Sequence, residues 1–207
     1  MSRPPGSPGR TMFLVLFGLA AVAAAGALFA LNRMRAAPGP PDIGPAPEFT
    51  LTRSTGEPFS HHRLEGDVWM VNFFFTRCRG ICPLLTERMG ELQERLADRE
   101  GWKLVSITVD PEFDIPEVLA AYAEERGADP DRWIFLTGGT ETVHSLIREG
   151  FLLPVQRQDD AVEPVLHSSR ILVIDAAGRI AGAYDALDEE AVVRLHRHVD
   201  ALVPPAP

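Results

Sequence analysis

An α/β domain with a central mixed sheet flanked by helices, preceded by one transmembrane helix, is the architecture this sequence predicts. Three observations lead there. A charge-free apolar run stands near the amino terminus, strand-like and helix-like segments alternate through the first half of the remaining chain, and two short β segments about a turn close the second half before a last helix.

Residues 11–31, TMFLVLFGLAAVAAAGALFAL, hold no charge over 21 positions, matching the roughly 20 residues that cross a bilayer as a helix. The run exceeds the roughly 7–15 apolar residues of a cleaved signal segment, so a retained anchor is expected. Residues 1–10 form a short tail. Arg3 and Arg10 precede the run while Arg33 and Arg35 follow it, so flanking charge does not orient the span. Residues 32–47 are proline-rich and read as an extended linker. Residues 48–203 have the mixed composition and length of one domain, and 204–207 form a tail.

Within the domain, 50–60 reads as a small leading hairpin around STGEPFS. DVWMVNFFF, at 67–75, is a strand buried on both faces. A helix comes next, with Pro83 in its first turn. Leu85, Met89, Leu92 and Leu96 form its apolar stripe, and Glu91 and Arg95 stand at a spacing that allows an ion pair. Strands at 102–109 and 133–136 and helices at 115–126 and 140–148 continue the alternation, which calls for parallel strands joined by helical crossovers. Residues 169–174 and 179–184 flank DAAG and read as an antiparallel hairpin, and 188–202 as a last helix. This order is that of a thioredoxin-like domain with added elements.

The chain has formal net charge −9, and its first 35 residues carry four arginines and no acid. The remainder is therefore still more acidic, which argues against nucleic acid as a partner. No phosphate loop, nucleophile triad or paired catalytic carboxylate is visible, so no hydrolase or transferase class is assigned.

Chemistry concentrates at the chain's two cysteines, Cys78 and Cys82, in FFFTRCRGICPLL. With Cys82 in the first helical turn, both sulfurs lie near one helix face, where the helix amino terminus favours thiolate. Two thiolates underfill a structural zinc site, which normally takes four ligands, whereas Cu(I) accepts fewer and softer donors. A catalytic dithiol is the second reading, although three residues separate the cysteines rather than the usual two. A plain disulfide staple is third, because so short a loop restrains the unfolded chain little. Among the histidines, His196 and His198 read as a solvated helix face, His144 as structural, and the His61–His62 pair as an alternative metal ligand. His167 stands at the end of a polar loop, before the predicted hairpin, where this fold can bring it over the cysteine helix. Asp110 ends the second strand, where parallel-sheet sites lie, and reads either as a group steering His167 or a partner, or as a turn cap before Pro111.

Four segments, FFFTRCRGICPLLT, SITVDPEFDIPEVLAAYA, ADPDRWIFLTG and HSSRILVIDAAGRIAGAYD, together resemble the Sco/SenC family of copper-binding assembly factors. The resemblance runs from about Ala46 onward. It implies a thioredoxin-like fold and copper, as Cu(I) or Cu(II), held by Cys78, Cys82 and His167. It also implies a role in building the CuA centre of cytochrome c oxidase, whose CuA-bearing subunit would be the partner, with an upstream copper donor or thiol reductant. The soluble domain would sit in the periplasm on a bacterial inner membrane, the alternative being the mitochondrial intermembrane space. A thiol–disulfide reductant acting on the CuA cysteines and a redox or copper sensor are the other functions considered. One departure stands out: Leu166 occupies the position before the ligand histidine where many members carry an acid, and the loss of that carboxylate is expected to weaken or retune copper binding.

Overall fold

In chain order the described elements are β1 (Thr50–Arg53), β2 (Pro58–Ser60), a 3-10 turn (His61–Leu64), β3 (Val68–Phe74), α1 (Cys82–Arg95), β4 (Trp102–Thr108), α2 (Pro116–Glu125), β5 (Trp133–Thr137), α3 (Thr140–Ser145) continuing into a π turn (Leu146–Gly150), β6 (Val155–Arg157), β7 (Val165–His167), β8 (Arg170–Ile174), β9 (Ile180–Asp185) and α4 (Glu189–Leu202). The structure, a computed structural model, describes residues 43–158 and 165–205 together with Gly18. Apart from Gly18, the anchor predicted at 11–31 lies outside the described residues, among which no helix is long and apolar enough to cross a membrane.

The main sheet runs β2-β1-β5-β4-β3-β8-β9. Its centre, β5-β4-β3, is parallel, with Val71 beside Val105 and Val105 beside Ile134. The hairpin β8–β9 adds to the free side of β3 in antiparallel sense. Every residue of β3 is buried, and the reason is visible on both faces. Phe74 meets Tyr122 of α2 at 5.4 Å and Phe135 at 5.7 Å, while Phe73 meets Phe151 at 5.3 Å. A strand covered on both sides has no solvent face to alternate toward, hence its unbroken apolar sequence.

The stripe on α1 is buried as the spacing predicts, with Leu85, Met89, Leu92 and Leu96 all at 0% exposure. Each such side chain contributes about 1.5–3 kcal/mol relative to solvent exposure. The ion pairs differ from the sequence reading. Arg95 bonds Asp200 on α4 rather than Glu91, and Arg88 bridges Glu91 and Glu189. Helix-to-helix packing thus supersedes the local pairing.

Two further differences concern the leading residues. The 50–60 hairpin is not an isolated ribbon: β1 also pairs with β5, Thr52 beside Thr137, and so extends the main sheet. The end of the predicted linker joins the domain as well. Ile43 N–H donates to Ile180 C=O at 3.2 Å, Ala46 N–H to Gly178 C=O at 2.8 Å, and Pro45 bridges Arg179 in the β8–β9 turn. A proline-rich segment does this without strain, because an edge position asks for few of its own N–H groups.

Candidate metal and thiol site

The site grows from the carboxyl end of β3. Beyond Phe74 the chain buries Phe75 and turns, with Cys78 N–H donating to Phe75 C=O at 3.3 Å. Asp114, from the loop after β4, holds this turn. Its fully buried carboxylate accepts from the Thr76 amide at 3.1 Å, the Thr76 hydroxyl and the Thr108 hydroxyl. Burial is the larger influence on Asp114 and pushes its carboxyl pKa up, against the lowering effect of those donors.

Helix α1 then begins at Cys82, with proline in its first turn and no side chain capping its amino end. Its first amides are left for another acceptor. Cys78 sulfur lies where the Cys82 side chain, the His167 side chain and the backbone of Cys82 and Gly80 all favour its thiolate. The Cys82 contact is the strongest cause, and together these overcome burial and draw the Cys78 thiol well below its ordinary value of 9.0. Cys82 moves the opposite way, because it keeps the shared proton and is the more deeply buried. The pair therefore stores one thiolate, on Cys78. Alkylation by iodoacetamide is expected to modify Cys78 before Cys82. Its rate should stay nearly flat as pH falls below 9.0, where an ordinary thiol would lose about tenfold per pH unit; peptide mapping after timed quenches reads both.

His167 enters from β7, an element the sequence pattern does not announce. β6 and β7 form a separate antiparallel ribbon in which Val155 stands beside His167. Alternation along β7 turns His167 inward, at 7% exposure, and Leu166 outward, at 53%. His167 Nε2 lies 3.3 Å from Cys82 Sγ, and Nδ1 faces Ser168 C=O at 3.1 Å. Which ring nitrogen carries the proton sets the role. On Nε2 it is shared with the sulfurs of the metal-free pair; once moved to Nδ1 and donated to that carbonyl, it leaves Nε2 a lone pair for a metal. Phe75 meets the imidazole edge to face at 5.8 Å and fixes its plane. The Leu166 departure thus has a different weight from that expected. In this backbone a side chain at 166 points away from the imidazole, and the Ser168 carbonyl does the orienting.

Asp110 does not reach His167. Its buried carboxylate accepts from Arg77 Nε at 2.7 Å and pairs with Arg77 Nη2 at 2.7 Å, while its backbone carbonyl closes the turn by accepting from Phe113 and Asp114 amides. Arg77, which also lies over the Phe113 ring at 4.8 Å, ties the cysteine loop to the 110–115 loop. His144 is buried and bonds Val109 C=O at 2.8 Å. His196 and His198 are half-buried rather than solvated, and His198 Nδ1 meets Tyr184 Oη at 2.8 Å. Burial lowers both imidazole pKa values. His61 and His62 lead into the amino end of β3, whereas the cysteines follow its carboxyl end, so the pair takes no part here.

Sequence reasoning passed over Thr76, Asp114, Ser168 and Phe75. Asp114 had a usable signal: a second aspartate four residues after Asp110 in VDPEFD, too far along to cap the same turn. Ser168 acts through its backbone, which side-chain chemistry cannot disclose.

Fold and site together define a thioredoxin-like domain presenting two cysteines and one histidine beyond the carboxyl end of a central strand. A profile of the SCO1/SenC family matches residues 38–200, and the chain belongs to that family. The SCO1 protein homolog of Bacillus subtilis is 29% identical over 141 residues, covering 68% of this chain and 73% of the relative. The chain spans between 65% and 73% of the length of the first curated relatives it matches. Among solved structures, BsSco, described as a member of the Sco family of cytochrome c oxidase assembly proteins with a disulfide switch, superposes with TM-score 0.69 at 26% identity, covering 79% of this chain and 96% of that one. Yeast Sco1 with copper bound superposes with TM-score 0.61 at 26% identity, covering 79% and 92%.

Proposed function

We propose that this protein is a membrane-anchored copper metallochaperone that serves assembly of the CuA centre of cytochrome c oxidase, with residues 11–31 as the anchor and the soluble domain in the periplasm. The observation that carries the reading is the convergence of His167 Nε2 on Cys82 Sγ at 3.3 Å, beside a Cys78 sulfur that favours thiolate. Ligands about 2.0–2.3 Å from one ion stand about 3.5 Å from each other, so this edge of the set already has the spacing of a shared metal. The donors suit the cargo: thiolate selects Cu(I), and imidazole accepts either oxidation state. The copper-bound state of yeast Sco1 and the oxidase-assembly family of BsSco support the same reading.

Cys78, Cys82 and His167 would hold the copper. Three ligands leave a coordination position for an incoming ligand of the recipient, so delivery proceeds by stepwise exchange rather than release into water. Burial of all three donors limits the access of water, with Cys82 the innermost at 1% exposure. The test is anaerobic Cu(I) titration of the intact protein against a competing chelator. Wild type is expected to take up about one equivalent, and His167→Ala to bind about 10–100-fold more weakly. Equal, weak binding by both would overturn the assignment.

A second reading draws on one observation: Cys78 and Cys82 are both free thiols, with the ionisation split expected of an attacking and a resolving cysteine. Cys78 thiolate would attack a recipient disulfide and displace one of its sulfurs. Cys82 would then resolve the mixed disulfide, leaving the recipient as two thiols and this pair as one disulfide. This activity should survive His167→Ala, which separates the two readings.

A further inference from the structure

The 3-10 turn that leads into β3 brings together three side chains with no part in the cysteine site. One donor atom each from His61, His62 and Glu65 lies within 4.8 Å of the others. The turn itself is well held. Ser60 accepts from His62 N–H, Glu65 N–H donates to His62 C=O, and His61 N–H donates to Phe49 C=O at 3.0 Å. The His61 ring is also held: Nδ1 accepts from the Phe49 amide at 3.2 Å and stands 3.3 Å from the Phe49 carbonyl. The two imidazoles approach to 4.0 Å between centroids, and His62 Nδ1 meets Glu65 Oε1 at 2.5 Å. Neither ring's Nε2 has a protein partner among the described residues. Arg63, the cation in the same turn, is laid over the Phe59 ring at 5.3 Å.

We infer that His61, His62 and Glu65 form a second metal site, one for a divalent transition ion, at the opposite end of β3 from the cysteines. Two neutral imidazoles and a carboxylate make a borderline nitrogen–oxygen set carrying one negative charge. Such donors suit Cu2+ and Zn2+, with Cu2+ the tighter, and offer no thiolate for Cu(I). A metal taken at Nε2 would shift the His61 proton to Nδ1, where the Phe49 carbonyl 3.3 Å away can accept it, the arrangement that commonly orients a ligating imidazole. Closing the set to the roughly 3.3 Å ligand spacing of a tetrahedral ion needs only side-chain rotation by His62 and Glu65, which are 64% and 69% exposed. The β3 strand between the two ends has seven residues, a rise of about 20 Å, so the two sites bind independently.

The test uses the intact chain with Cys78→Ser, Cys82→Ser and His167→Ala combined, titrated with Cu2+ against glycine and followed by electron paramagnetic resonance. One Cu2+ with nitrogen hyperfine splitting is expected. Adding His61→Ala and His62→Ala should weaken it about tenfold or more, and Glu65→Gln by less. A parallel measurement keeps the result independent of how the triple variant folds. In the otherwise unaltered protein, His61→Ala with His62→Ala should remove one Cu2+ equivalent and leave Cu(I) uptake unchanged. Cu2+ binding that is absent, or unchanged when the two histidines are replaced, overturns the site. Neither outcome bears on the cysteine site, whose residues the histidine variant leaves intact.

Discussion

Cys82→Ser is expected to abolish copper retention, taking Cu(I) uptake from about one equivalent to none that survives desalting. Cys82 has a double role. Its sulfur forms the 3.3 Å edge with His167, and its thiol and amide supply hydrogen bonds that stabilise the Cys78 thiolate. Replacing it with serine removes one soft ligand while the hydroxyl can still donate to Cys78, and losing a thiolate should weaken Cu(I) binding more than losing the imidazole in His167→Ala. Serine is close in volume and α1 still begins with Pro83, so the folded state should persist by circular dichroism. Retention of one tightly held Cu(I) by the folded variant would refute the ligand assignment.

Asp114→Ala is expected to cost about 3 kcal/mol of stability, a fall in Tm of about 6–12 °C, read by urea and thermal unfolding. The substitution leaves the Thr76 amide, the Thr76 hydroxyl and the Thr108 hydroxyl without their shared acceptor in a buried setting. The same change frees the turn that carries Cys78, so copper affinity should fall although Asp114 is not a ligand. Asp114→Asn keeps volume and one acceptor and should recover part of both. pH separates the two variants further. Burial raises the Asp114 pKa above its ordinary 3.8, so the folded state holds that proton more tightly than the unfolded chain. The stabilisation is complete below the unfolded pKa and is lost as pH rises through the folded pKa. Wild type should therefore lose stability relative to Asp114→Asn on going upward through that window. No change in the difference between them would mean that Asp114 is not buried as described.

The strand at 67–75 was legible because burial on both faces leaves an unbroken apolar run, and α1 because Leu85, Met89, Leu92 and Leu96 recur at helical spacing. The cysteine pair was legible from spacing and from Pro83. The β6–β7 ribbon was not: strands of three residues are too short for alternation to register, and the residues that decide His167's orientation, Val155 and Ser168, lie across the ribbon or act through backbone. The Glu91–Arg95 pairing failed for a related reason. Periodicity sees neighbours on one helix but not Asp200 on another, which Arg95 meets once α4 packs beside it.

By itself the sequence determined the element order, the buried central strand, the apolar face of α1 and the placing of two cysteines at a helix start. All of these are local consequences of side-chain period and turn chemistry. Tertiary structure alone decided that His167 meets Cys82, that Asp114 holds the cysteine turn, that Asp110 serves Arg77 rather than His167, and that His61, His62 and Glu65 gather at the far end of β3. Contacts between residues 85 apart, as with Cys82 and His167, depend on how sheet register and loop closure bring remote segments together. No local pattern records that outcome.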